Sequence, residues 1–135
     1  METELIARFA DFLETVKDEQ FYFPAIVKNW NEETKCGTIC CAAGHLPNFD
    51  SKMWYWYKGH FSIRVGKVSS SKFDLFEQIA EYFDISYQEV EGIFFNETPE
   101  GRNDNYSDDD SFFYKKSNYG VTRIDVINAL RELIK

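Results

Sequence analysis

The densest potential for chemistry lies in ten consecutive residues, Cys36-Gly-Thr-Ile-Cys40-Cys41-Ala-Ala-Gly-His45. Thiols and imidazoles serve as nucleophiles, bases or metal ligands, so three readings compete. The first is a reactive thiol. With Thr38 as N-cap of a helix stopped by Pro47, Cys40 and Cys41 take the second and third helical positions. Backbone N–H groups and the positive dipole end there favour a thiolate. His60 is the distant imidazole able to act as base, which makes a cysteine-dependent enzyme using Cys40 or Cys41 the alternative function. No Asn or Asp orienter is legible, and the triad logic needs all three roles. The second reading is a metal held by Cys36, Cys40, Cys41 and His45. Adjacent residues on a helix point about 100° apart, and the spacing matches no zinc finger or ribbon. The third is packing: Gly37, Ala42, Ala43 and Gly44 let a neighbour approach closely, and a buried Cys behaves as a small hydrophobe. The expectation is a structural cysteine cluster, with no catalytic residue, no metal and no cofactor.

A second concentration of function-bearing residues is acidic and aromatic. Residues 97–111 hold Glu97, Glu100, Asp104, Asp108, Asp109 and Asp110 against the single base Arg102. Tyr106 lies among them, and Phe112 and Phe113 follow directly. The acids lack the alternation and central glycine of a calcium loop. The segment reads as an exposed, mobile loop or insertion. Tyr106, Asp108, Asp109, Asp110, Phe112 and Phe113 are the candidate binding residues: the rings supply buried area and the carboxylates supply steering.

The segment from Phe76 to Phe95 has the outline of a helix-turn-helix, with Ala80, Asp84, Ile85, Val90 and Ile93 at the small, turn and apolar positions. Its second helix is read as exposing Tyr87, Gln88, Glu89 and Glu91, with no Lys or Arg. Carboxylates facing a groove repel phosphate, so an αα-hairpin is expected, and a helix-turn-helix regulator is the third function reading.

These segments must be positioned by a core that composition supports. The 135 residues match the size of one domain, 1–135, and 44% are hydrophobic, with 13 Phe, 8 Tyr and 3 Trp. The balance of 15 basic against 23 acidic residues, a net charge of −8, argues against nucleic acid and anionic membranes and for a protein with a basic surface. No signal sequence or membrane-spanning run is legible and three bunched cysteines make no secreted framework, so the expected location is cytoplasmic. The sequons at Asn96 and Asn105 carry no weight there. The oligomeric state is left open.

Periodicity predicts a helix over 4–17, with Leu5, Ile6, Phe9, Phe12, Leu13 and Val16 on one stripe. An aromatic loop, Phe21 to Trp30, follows. Residues 53–66 read as a β-hairpin or a helical turn before Gly59. Three capping-box spacings, Ser71/Asp74, Ser86/Glu89 and Thr122/Asp125, mark three later helices. Ile85/Val90 and Val121/Val126 are placed as hydrophobic staples. The fold class is therefore α+β, mainly α: a compact bundle of short helices with a small antiparallel hairpin.

The layout resembles a loose group of small, uncharacterised bacterial and phage proteins. Those open with an amphipathic helix ending like Asp11-Phe-Leu-Glu-Thr-Val16 and carry a Cys-Gly-Thr-x-x-Cys-x-Ala-Gly-His/Trp element. Here that element is matched by Cys36, Gly37, Thr38, Cys40, Ala43, Gly44 and His45. A helix pair closing like Ile93-Phe94-Phe95 and a short amphipathic last helix complete the likeness. It covers about two-thirds of the chain, and the 97–120 insertion is longer here. The resemblance implies a shared fold and brings no activity. The favoured function is a non-catalytic, acidic, protein-binding accessory factor, of the kind a phage or mobile element uses to inhibit a host protein.

Overall fold

The computed structural model describes residues 1–25, 28–31, 36–59, 62–69, 74–97, 112–113 and 116–135. They form an α+β fold that is mainly helical. Helix α1 (Thr3–Thr15) leads through a 3₁₀ turn (Asp18–Gln20) to strands β1 (Lys28–Asn31) and β2 (Cys36–Ile39). A second 3₁₀ turn (Ala43–His45) runs into the single-turn helix α2 (Leu46–Phe49). Strands β3 (Trp54–Gly59) and β4 (Ser62–Lys67) follow, then α3 (Leu75–Phe83), α4 (Tyr87–Phe95), a third 3₁₀ turn (Asn118–Gly120) and α5 (Arg123–Leu133).

Among the described residues two antiparallel strand pairs are present, β1–β2 and β3–β4, where one was expected. The 53–66 ambiguity resolves as a strand pair, with Trp54 opposite Lys67 and Trp56 opposite Val65. Alternation turns the fully buried Trp54 and Val65 inward. On the other face the Tyr55 and Tyr57 rings lie across Gly66, where a Cβ would sit 2.8 Å from both.

The other pair corrects the expected helix over 35–45. Gly37, Thr38 and Ile39 continue a strand, with Ile39 opposite Lys28 and Gly37 opposite Trp30. β-Branched residues favour a pleated strand over a helix interior, and a neighbouring strand is available to pair. Thr38 is therefore no N-cap. Nor does Pro47 stop a helix: it sits in the first turn of α2, where its missing N–H has no intrahelical role.

The later helices begin where their caps specify. Ser86 and Glu89 exchange hydrogen bonds across the start of α4, and Thr122 and Asp125 do so at α5. Val90 and Val126, the inner members of both staples, are fully buried. Helix α3 starts later than its spacing suggested. Asp74 is itself the N-cap and accepts from the Phe76 N–H at 2.9 Å, while Ser71 lies outside the described residues. Asp84, at φ 53, takes the left-handed turn between α3 and α4.

The core is one aromatic-centred cluster. Phe9 of α1 stands 5.1 Å from Phe49, 5.4 Å from Phe83 and 6.2 Å from Phe94, measured between ring centres. Burying such a ring contributes about 1.5–3 kcal/mol, so Phe9 joins α1, α2, α3 and α4 at a single point. Helix α5 closes the bundle by burying Val126, Ile127 and Leu130. Arg123 at its start donates to the Leu13 carbonyl at 3.1 Å and to Asp18 at 3.1 Å, capping the end of α1. Among the described residues no helix is long and apolar enough to cross a membrane.

Candidate functional site

The cysteine element is built into the core. Cys40 leaves β2 into a single parallel bridge with Phe21: its N–H donates to the Gln20 carbonyl at 3.1 Å and its carbonyl accepts from Tyr22 at 3.0 Å. The Cys41 N–H donates to the Ala25 carbonyl at 3.0 Å. Both thiol-bearing residues are buried. Neither takes the second or third position of the expected helix, because β2 occupies its place; Cys41 instead precedes the 3₁₀ turn Ala43–His45, its carbonyl accepting from the His45 N–H at 3.1 Å. Burial pushes the Cys41 thiol up to about 11, against a partial opposing pull from the backbone at Gly44 and Ala43. A thiol held in that state is the opposite of an activated nucleophile.

His45 is also committed inward. Its Nε2 lies 2.9 Å from the Gln20 carbonyl, and its Nδ1 lies 3.3 Å from the Asn48 amide nitrogen. The tautomer with Nε2–H donating and Nδ1 accepting satisfies both. Burial lowers its pKa, and the Gln20 contact opposes that shift. The Gln20 carbonyl thus receives both Cys40 and His45, tying the element to the turn after α1. Among the described residues no three His, Cys, Asp or Glu side chains gather as a metal site. The Cys36 side chain and His60 lie outside the described residues.

Helices α3 and α4 form an αα-hairpin, and one expected feature of it is corrected. Glu91 does not face solvent; it is fully buried, because α4 turns its 90–94 stretch wholly into the core. Tyr87 is also half-covered, its hydroxyl donating to Asp74 at 2.9 Å. Of the face read as a recognition surface, only Gln88 is well exposed, with Glu89 half-exposed.

The binding segment divides at the boundary of the described residues. Tyr106, Asp108, Asp109 and Asp110 lie outside them, whereas Phe112 and Phe113 lie within. The two rings meet edge to face at 5.0 Å and have different fates. Phe113 turns in against Phe23 at 6.1 Å. Phe112 stays 42% exposed while lying on the α4 backbone at Gly92, where a Cβ would stand 2.7 Å from its Cγ.

A fully buried side chain holds that segment down. Asn96 ends α4 in the left-handed conformation, φ 57. Its Oδ1 accepts from the Phe113 N–H at 2.7 Å, and its Nδ2 donates to the Lys116 carbonyl at 2.9 Å and to Asn118 Oδ1 at 3.2 Å. Around it the Asn96 N–H reaches the Gly92 carbonyl and the Glu97 N–H reaches the Glu91 carbonyl, both at 2.9 Å. The first is a last i−4 helical bond and the second a wider i−6 closure across the left-handed residue, so two carbonyls at the helix end are satisfied.

Between α4, α5 and these phenylalanines lies an open groove of about 580 Å³. Ile93, Phe112, Phe113, Ala129 and Leu133 make its apolar floor; Glu89, Asp125, Asn128 and Glu132 make its rim. On α5 the lining follows 125, 128, 129, 132 and 133, a second helical face beside the buried 126, 127 and 130. That spacing was readable in the sequence, but the wall that makes it a groove comes from distant residues. Asp125 accepts from Lys116 at 2.7 Å and from the Thr122 N–H at 2.9 Å. Burial raises its pKa, but these contacts outweigh that and hold it below the ordinary range. Glu89 accepts from the Ser86 N–H at 2.9 Å, and Glu132 pairs with exposed Lys135 at 3.2 Å. Among the described residues no Lys or Arg lines the groove. No family model matches the chain, nor does any curated protein or solved structure.

Proposed function

We propose that this chain is a non-catalytic, acidic protein-binding accessory factor whose partner presents a basic surface, and that it serves a phage or mobile element against a host protein. The observation that supports the reading is the groove: exposed apolar surface around Phe112, walled by two helices and rimmed by carboxylates. Apolar floors with polar rims are the usual anatomy of binding patches. The net charge of −8 adds long-range attraction for a cationic partner. The phage or mobile-element setting rests on the resemblance carried by the Cys-Gly-Thr element.

Affinity capture from a bacterial lysate, with wild type and Phe112→Ala immobilised in parallel, tests this function. Expected is a basic protein retained by the wild type, released as salt rises, and retained several-fold less by the variant. Retention that ignores both salt and the Phe112 change counts against the reading.

A further inference from the structure

We infer that the α4–α5 groove receives a short cationic amphipathic helix, an assignment that rests on the protein-binding function proposed above and names the partner's chemistry. Three features converge on it. The groove's lining runs along α4 from Glu89 to Ile93 and along α5 from Asp125 to Leu133, or about 6 and 12 Å of wall. The longer wall matches about two turns of a docked helix, enough for anchors at i, i+3 or i+4, and i+7.

The second feature is the α5 face itself. Ala129 stands midway along it, flanked by Asp125 and Glu132, with Leu133 one turn beyond. A small residue at the centre of a helix face lets another helix approach to about 8–10 Å. Phe112, 42% exposed, then supplies apolar surface beside an inserted side chain.

The third is charge. Among the described residues every ionisable side chain lining the groove is a carboxylate: Glu89, Asp125 and Glu132. Asp125 is already matched by Lys116, so the attraction comes from Glu132 and from Glu89, whose charge the bond from the neutral Ser86 N–H does not cancel. The Glu132–Lys135 pair is about seven-tenths exposed on both sides, and exposed pairs of that kind hold weakly and exchange readily. A second copy of this chain is disfavoured as occupant, because it brings its own excess of acid to an acidic rim.

The test uses the full chain and a synthetic helix with a leucine stripe flanked by lysines, followed by fluorescence anisotropy at low salt. Control peptides carry glutamate flanks, or glutamine in place of leucine. Expected is saturable one-to-one binding of the leucine–lysine peptide, with both controls at least tenfold weaker. Ala129→Gln, which fills the middle of the groove, should weaken binding about tenfold. Asn128→Lys, at an exposed position that leaves folding intact, should weaken it several-fold and mainly at low salt.

Equal binding by wild type and both variants overturns the groove assignment and leaves the basic-partner reading standing. Equal binding of the lysine- and glutamate-flanked peptides overturns the charge argument, and absence of any binding overturns the inference, while the basic-partner function stands or falls on the lysate capture. A dimer in the free protein, dissolved by Ala129→Gln, would give the groove to a second copy and overturn the inference.

Discussion

The Phe112 ring rests on the backbone of Gly92, so closely that a methyl group at position 92 would overlap it. Gly92 is buried in the interior of α4. A helix-interior Gly ordinarily costs about 0.8–1.0 kcal/mol relative to Ala. Its presence here is explained by the seat it gives to Phe112. The two positions should therefore be energetically coupled. Gly92→Ala in the wild-type chain should bring little or no gain, because the ring must leave its seat. In a Phe112→Ala background the same change should stabilise by about 1 kcal/mol. Urea denaturation of the four-member cycle measures the coupling. Additive effects would mean that the contact carries no energy.

Asn96 has two separable duties, its left-handed backbone and its three side-chain hydrogen bonds. Asn96→Gly keeps the first and removes the second, and should cost about 1–3 kcal/mol. Asn96→Ala loses both, and should cost about 1–2 kcal/mol more. Both variants should also loosen Phe112 and Phe113, read as faster exchange of the Phe113 amide. Equal stabilities for the two variants would show that the backbone conformation contributes nothing.

The buried thiol of Cys41 ionises near 9.0 when exposed and near 11 in the fold. The folded chain keeps a proton over that interval that the unfolded chain gives up. Its contribution to stability is thus intact below about pH 9. It is lost as pH rises toward 11, at up to about 1.4 kcal/mol per pH unit. Cys41→Ala should be less stable than wild type near pH 8, with the gap narrowing or reversing near pH 10.5. Iodoacetamide should label native Cys41 at pH 8 no faster than the chain unfolds. Rapid labelling, or a pH-independent gap, would contradict the packed-thiol assignment.

Much of the architecture was legible where its cause is local. The boxes at Ser86/Glu89 and Thr122/Asp125 specify helix starts through residues three apart, and both formed. The β3–β4 pair was legible only as one of two options, since a helical turn before Gly59 fitted its first half as well. The Cys-Gly-Thr element was misread because its fate is decided at a distance. Small residues beside an N-cap candidate look helical until a partner strand, 28–31, is available. Glu91 was misread because a carboxylate at a core position carries no sign of burial. Of the candidate site, Phe112 and Phe113 were identifiable as aromatics beside a charge run. Ala129, Asn128 and Leu133 were not, since the groove exists only once α4, α5 and residues 112–113 are assembled.

A partner seated on the surface between α4, Phe112 and α5 should be visible residue by residue in amide chemical-shift mapping of the full ¹⁵N-labelled chain, titrated with the leucine–lysine helix. Expected are saturable shifts concentrated at Glu89, Ile93, Phe112, Phe113 and the 125–133 face of α5. The outer face of the β3–β4 pair, with its exposed Tyr55, should stay silent. Shifts centred on Tyr55 and Tyr57, or none that saturate, would contradict that placement.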